Sequence, residues 1–174
     1  MQGACLVGQS GGPTSVINAS VQGVVETALK CSEITNVYGA LYGIGGIIEE
    51  EIIDFRNEDP AEIALLKYTP SAALGSVRFH LDDYLVNDTV YQEILNVFKK
   101  YDIRYFFYIG GNDSMDSCQK INAYFKHIGY DCCVLGIPKT IDNDLVLCDH
   151  TPGYASACKY IASTISEIYH SMIL

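Results

Sequence analysis

The sequence predicts an α/β fold: a doubly wound, mostly parallel sheet with helices on both faces, Rossmann-like in plan. Three observations predict it. Runs of β-forming residues alternate with stretches of helical periodicity. One of those runs, Arg104-Tyr105-Phe106-Phe107-Tyr108-Ile109, is nearly continuous, as a central parallel strand covered on both faces requires. Glycine-rich turns, Gly11-Gly12 and Gly110-Gly111, come just after strands and open helices. Ligands of such sheets bind beyond the carboxyl ends of the strands, so the loops that follow them are expected on one rim.

Residues 3–8 read as the first strand, and the turn Gln9-Ser10-Gly11-Gly12-Pro13-Thr14 leads into a helix over about 15–31. Val16, Ile17, Val21, Val24, Val25 and Leu29 fall near helical spacing there. A second strand is expected at 35–41, followed by a loop at Tyr42-Gly43-Ile44-Gly45-Gly46 and a mixed acidic segment to about 58. Asp59-Pro60, an N-cap followed by proline, starts a short helix near 60–67. Residues 68–87 are irregular, and a helix at about 89–101 turns Val90, Ile94, Leu95 and Phe98 to one side. After the 104–109 strand come a helix at 114–127, a strand at 131–137 and a long helix from Thr151-Pro152. Ala157, Tyr160, Ile161, Ile165, Ile168 and Tyr169 are its expected buried stripe. The sequence stops at Ser171-Met172-Ile173-Leu174 directly after this pattern, with no tail or cap, so a truncated chain is expected.

Composition removes several function classes. With 49% hydrophobic and 18% charged residues over 174 positions, the chain has the makings of one core and is not disordered. A formal net charge of −10, with Arg56, Arg78 and Arg104 as the arginines, argues against nucleic acid as a partner. No apolar run is long enough to span a membrane. The start, Met1-Gln2-Gly3-Ala4-Cys5-Leu6, lacks a signal-peptide pattern, and a cytoplasmic location is the default. Seven scattered cysteines without a Cys-x-x-Cys pair suit packed thiols. A small anionic ligand still fits, because backbone N–H groups and one or two cations can hold phosphate.

The chemistry concentrates in Pro138-Lys139-Thr140-Ile141-Asp142-Asn143-Asp144, which packs two carboxylates, a lysine, a hydroxyl and an amide into one loop after a strand. By itself this reads first as a solvated turn, and only the company of the other motifs favours a reaction site. Gly11-Gly12 is either a tight turn or a place where backbone meets an anion. Gly110-Gly111-Asn112-Asp113-Ser114 joins a helix N-terminus to oxygen groups that suit hydrated magnesium, with simple capping by Asp113 and Ser114 as the alternative. Arg78, among apolar neighbours, is a ligand contact or one half of a salt bridge. Phosphoryl transfer needs a cation-lined phosphate site and a carboxylate beside the attacking hydroxyl. Lys139, Arg78, the glycine loops and Asp142 supply that set.

Four stretches together resemble the phosphofructokinase family, and within it the pyrophosphate-dependent branch: Ser10 to Thr14, Leu74 to Phe79, Gly110 to Ser114, and Pro138 to Asp144. The resemblance runs in order along essentially the whole chain. It implies one domain of a two-domain enzyme, with residues 1–174 as the phosphoryl-donor domain and the sugar-phosphate domain absent. It further implies pyrophosphate and fructose 6-phosphate as substrates, Mg2+ as cofactor, and a homo-oligomeric parent. The implied roles place Asp142 as proton acceptor for the sugar 1-hydroxyl, with Thr140 and Ile141 beside the sugar. Gly11, Gly12, Gly111 and Ser114 would hold the donor, Arg78 would offset the transferring charge, and Asn112 takes the magnesium-associated position.

ATP-dependent members resemble Gly-Gly-Asp-Gly-Ser and Pro-Gly-Thr-Ile-Asp, whereas this chain carries Asp113 and Lys139 at the variable glycines. A carboxylate at 113 would repel the α-phosphate of ATP, while Lys139 would stabilise a shorter donor. Asn112 stands where many relatives have aspartate, which weakens the expectation of tight metal binding there. The competing readings are an ATP-dependent phosphofructokinase and a non-catalytic phosphate-binding fragment.

Overall fold

Complete burial along one strand organises the sheet. In the computed structural model, which describes residues 1–173, β1 (Gly3–Gln9) is buried at every position. It lies between β2 (Ile34–Ala40) and β4 (Ile103–Gly110), parallel to both. Beyond β4, β5 (Cys133–Pro138) continues the parallel pairing, and the short β3 (Ile52–Asp54) closes the other side antiparallel to β2. The strand order β3-β2-β1-β4-β5 is that of a doubly wound sheet, as expected.

Alternate residues of β1 feed opposite faces, as a strand's two-residue period demands. Ala4 and Leu6 join Phe106 and Tyr108 under α2 (Gly43–Ile48), α4 (Thr89–Lys100) and α5 (Asn112–Ile128). Cys5 and Val7 join Val37 and Ile109 under α1 (Ile17–Ala28) and α3 (Pro60–Leu65). Burial pushes the Cys5 and Cys118 thiols up to about 12, in keeping with packed, unreactive sulfur. On the first face Phe98 is fully buried, its ring 5.4 Å from that of Phe106 and 5.3 Å from that of Phe125. Phe98→Ala is expected to lower the unfolding free energy by about 3–5 kcal/mol in a urea titration, since the cavity sits between two rings that cannot close over it. A loss below about 1 kcal/mol would mean that this face is not the core.

Three sequence expectations are corrected. Tyr42 to Gly46 is not a loop: Gly43–Ile48 is a helical turn and a half whose Ile44 and Ile47 are fully buried, so packing overrides the poor helix propensity of its glycines. Part of the acidic segment forms β3, which a three-residue strand is too short to announce by alternation. The last helix, α6 (Tyr154–Ile173), does not bury its apolar stripe: Tyr160 is 73% exposed and Ile165 61%. Beside β5, Val24, Tyr105, Phe107, Leu135 and Ile137 line an uncovered apolar groove of about 610 Å³. No helix of the described residues is long and apolar enough to cross a membrane.

Candidate functional site

The carboxyl ends of β1, β4 and β5 carry loops that meet in one cleft of about 570 Å³. Ser10 to Thr14 form its floor on one side, Gly111 to Ser114 on another, and Lys139 to Asp142 with Asp144 on a third. Arg78, Phe79 and His80, from the irregular segment, complete the wall.

Lys139 is the innermost cation, only 5% exposed, and its ammonium donates to the carbonyl oxygen of Gly12. Gly11 makes room for it. Its backbone is left-handed, with φ at 75°, and a Cβ there would come within 3.3 Å of the lysine Nζ. Gly12 has open space where a Cβ would stand, so this side of the loop belongs to the cleft. Burial, and then the nearby Arg78 guanidinium, hold the Lys139 ammonium below the usual lysine range. Two cations thus share the cleft, and among the described residues no acidic side chain is bonded to either. Arg78 is exposed and forms no ion pair among the described residues, so the salt-bridge alternative does not apply.

The loop after β5 is braced from behind. The backbone N–H of Lys139 donates to the carbonyl of Gly110 (2.9 Å), locking it to β4, and that of Thr140 donates to the carbonyl of Pro152 (3.1 Å). Asn143, at φ 56°, accepts from the N–H of Thr151 (2.9 Å) and donates to the carbonyl of Asp149 (3.1 Å). The Thr140 hydroxyl accepts the backbone N–H of Asp142 (3.0 Å), which leaves the exposed Asp142 carboxylate facing the cleft on a turn held at both ends. The polar cluster that could have been a mere turn is therefore both: Asn143 builds it, and Asp142 rides on it.

At the third loop, Gly111 is the N-cap of α5 and no side chain caps this terminus. Capping by Asp113 or Ser114, the alternative weighed above, does not occur. The first-turn N–H groups of Asn112 and Asp113 have no partner among the described residues, that of Ser114 donates to the Gly111 carbonyl (3.0 Å), and the positive end of the helix dipole adds to the two cations. Asn112 donates its amide to Asp144 (3.0 Å), tying this loop to the loop after β5. No group of three or more His, Cys, Asp or Glu among the described residues is arranged to hold a metal ion alone.

Every residue given a site role in the sequence lines the one cleft: Gly11, Gly12, Arg78, Gly111, Asn112, Asp113, Ser114, Lys139, Thr140, Ile141 and Asp142. Ser10, Pro13, Thr14, Phe79 and His80 line it too and were not singled out, although all but His80 lie inside the quoted motifs. Thr14 carries a buried hydroxyl with no hydrogen-bond partner among the described residues.

A family model described as Phosphofructokinase matches residues 4–173. The chain belongs to the phosphofructokinase family. Among its relatives, the pyrophosphate–fructose 6-phosphate 1-phosphotransferase of Halomonas elongata is 44% identical over 160 residues, which is 91% of this chain and 38% of that protein. The enzyme of the same name from Methylococcus capsulatus is 45% identical over 160 residues, with the same coverage of 91% and 38%. A crystal structure of pyrophosphate-dependent phosphofructokinase from Nitrosospira multiformis superposes with a TM-score of 0.88 at 43% identity, covering 95% of this chain and 40% of that one. The chain thus spans about two fifths of the length of these phosphofructokinases.

Proposed function

We propose that this chain is the phosphoryl-donor half of a pyrophosphate-dependent phosphofructokinase, which transfers phosphate to the 1-hydroxyl of fructose 6-phosphate. The observation that carries the reading is one cleft lined by a buried lysine, an arginine with no ion-pair partner among the described residues, an exposed aspartate and the glycine loops. The names of the relatives point to the same pair of substrates. The sugar phosphate would be held by the portion of the relatives that this chain does not span.

Pyrophosphate would lie against Gly11 and Gly12 and the uncapped start of α5, at Gly111 and Ser114. Lys139 would trade its bond to the Gly12 carbonyl for one to a phosphate oxygen. Arg78 would face the transferring phosphoryl group from the opposite wall. Asp142 would accept the proton of the sugar 1-hydroxyl as that oxygen bonds the distal phosphorus, while the bridging P–O bond breaks and inorganic phosphate leaves. Thr140 and Ile141 lie on the same turn, where the sugar's reacting end must come. Asn112, Asp113 and Asp144 offer oxygens suited to Mg2+, which commonly binds one or two protein oxygens with the remainder from substrate phosphates and water. Such an ion would neutralise charge on the donor phosphates.

Asp113 and Lys139 support the choice of donor. Asp113 lies in the first turn of α5, and its carboxylate would crowd and repel a longer nucleotide chain laid against that helix start. Expected in a coupled aldolase assay of the full-length protein is turnover with pyrophosphate, and turnover with ATP lower by about 100-fold or more. Preference for ATP would overturn the donor assignment. No turnover with either would overturn the reading of the cleft.

A further inference from the structure

Arg78 stands at the end of a segment with no regular structure, yet the segment is anchored repeatedly to β1, the glycine loop and α1. We infer that Gln9, Asn18 and Ser76 position Arg78 for phosphoryl transfer by fixing the strap of residues 69–78; the inference rests on the role proposed for Arg78 above.

Asn18 is 1% exposed and uses the full capacity of its amide. Its Oδ1 accepts from Gln9 Nε2 (2.8 Å) and from the backbone N–H of Ala73 (2.8 Å). Its Nδ2 donates to the carbonyls of Thr69 (2.8 Å) and Ser71 (2.9 Å). Gln9, fully buried, accepts the N–H of Leu74 (2.8 Å) through Oε1. Nearer the cleft, the Ser76 hydroxyl donates to the Gly11 carbonyl, and the Ser10 hydroxyl to the Val77 carbonyl (3.2 Å). Anchors therefore fall at 69, 71, 73, 74, 76 and 77, and Arg78 is the next residue.

The strap needs them. Ser71 sits in the left-handed region at φ 65°, a conformation its own sequence does not favour. Arg78 has no ion-pair partner among the described residues that could hold it from the other side. The strap sets the backbone position from which the arginine side chain reaches the cleft. The anchors all come from the strand, loop and helix that also carry Gly11 and Gly12, so the arginine and the glycine loop are set by one piece of backbone. A fully satisfied buried amide is costly to disturb, because removing it strands several backbone groups at once. Distance from the chemistry does not protect the rate, since a displacement near 1 Å at a reacting group is enough to slow it.

The test is a double-mutant cycle in the full-length protein: Asn18→Ala and Ser76→Ala, each alone and combined with Arg78→Ala, read as kcat/KM for pyrophosphate. Alone, Asn18→Ala is expected to cost about 10- to 100-fold, and Ser76→Ala about 3- to 10-fold. In the Arg78→Ala background each is expected to cost less than about 2-fold, because the group they position is gone. Equal losses in both backgrounds would show a merely structural role and overturn the inference. Ser76→Ala leaves the buried amides in place, so its cycle decides the matter if Asn18→Ala fails to fold. If the unsubstituted protein does not turn over pyrophosphate, the functional reading itself is overturned, and this inference with it.

Discussion

Asp142→Asn in the full-length protein is expected to lower kcat by about 100- to 10,000-fold, the range spanned by loss of a positioned general base. The fold should not notice. The side chain is exposed, and the bond that shapes its turn runs from its backbone N–H to the Thr140 hydroxyl, which the substitution preserves. Asparagine is nearly the same size, so substrates should still bind and KM should move little. Steady-state kinetics at saturating substrate, with circular dichroism as the check on folding, separates the two effects. A kcat within about 3-fold of the unsubstituted protein would remove Asp142 from the proton-transfer role.

Lys139→Met carries the second large effect, an expected fall of about 100- to 1,000-fold in kcat/KM for pyrophosphate, comparable to removing one preorganised donor from a developing charge. Methionine keeps an unbranched stem of similar length and loses the ammonium, with its charge and its bond to the Gly12 carbonyl. A pH series adds a second reading. Burial and Arg78 hold the ammonium below the usual lysine range, so the free protein releases this proton as pH rises through that lowered value. Bound pyrophosphate would favour the charged form, and binding in that window should take up a proton. Affinity for pyrophosphate therefore falls on the alkaline side, and Lys139→Met should flatten that limb. Stability moves the other way. The unfolded chain keeps the proton to higher pH, so across the same window this group's contribution to folding rises with pH. An alkaline limb unchanged by Lys139→Met would assign the titration to another group.

Much of this was legible in the sequence because period and burial agree in the central elements. The run Arg104 to Ile109 reads as a central strand and pairs on both sides, although Tyr105 and Phe107 lie along the uncovered groove instead of under a helix. The site was legible because its residues occur in short contiguous stretches after strands, and a parallel sheet brings such stretches together without further information. What the sequence hid depends on contacts made at a distance. Ile44 and Ile47 form a helix because the core receives them, not because glycines favour one. Nothing in the sequence marks Asn18; its partners lie up to 55 residues away, and only the fold identifies them. The apolar stripe of α6 shows the limit of periodicity, which says that a face wants covering and not what covers it.

Strand order also has a consequence during synthesis on the ribosome. The central strand β1 emerges first but takes its second neighbour from β4, with Gly8 beside Tyr108 and Gln9 beside Ile109. Until that stretch leaves the exit tunnel, one flank of the most buried strand has no partner. The cleft closes later still, since Lys139 reaches the Gly12 carbonyl across 127 positions of chain. Assembly from such distant pairings is intrinsically slow, and the half-built sheet presents an open apolar edge while it waits. The cleft, which draws on the loops after β1, β4 and β5, is complete only once all three strands have paired.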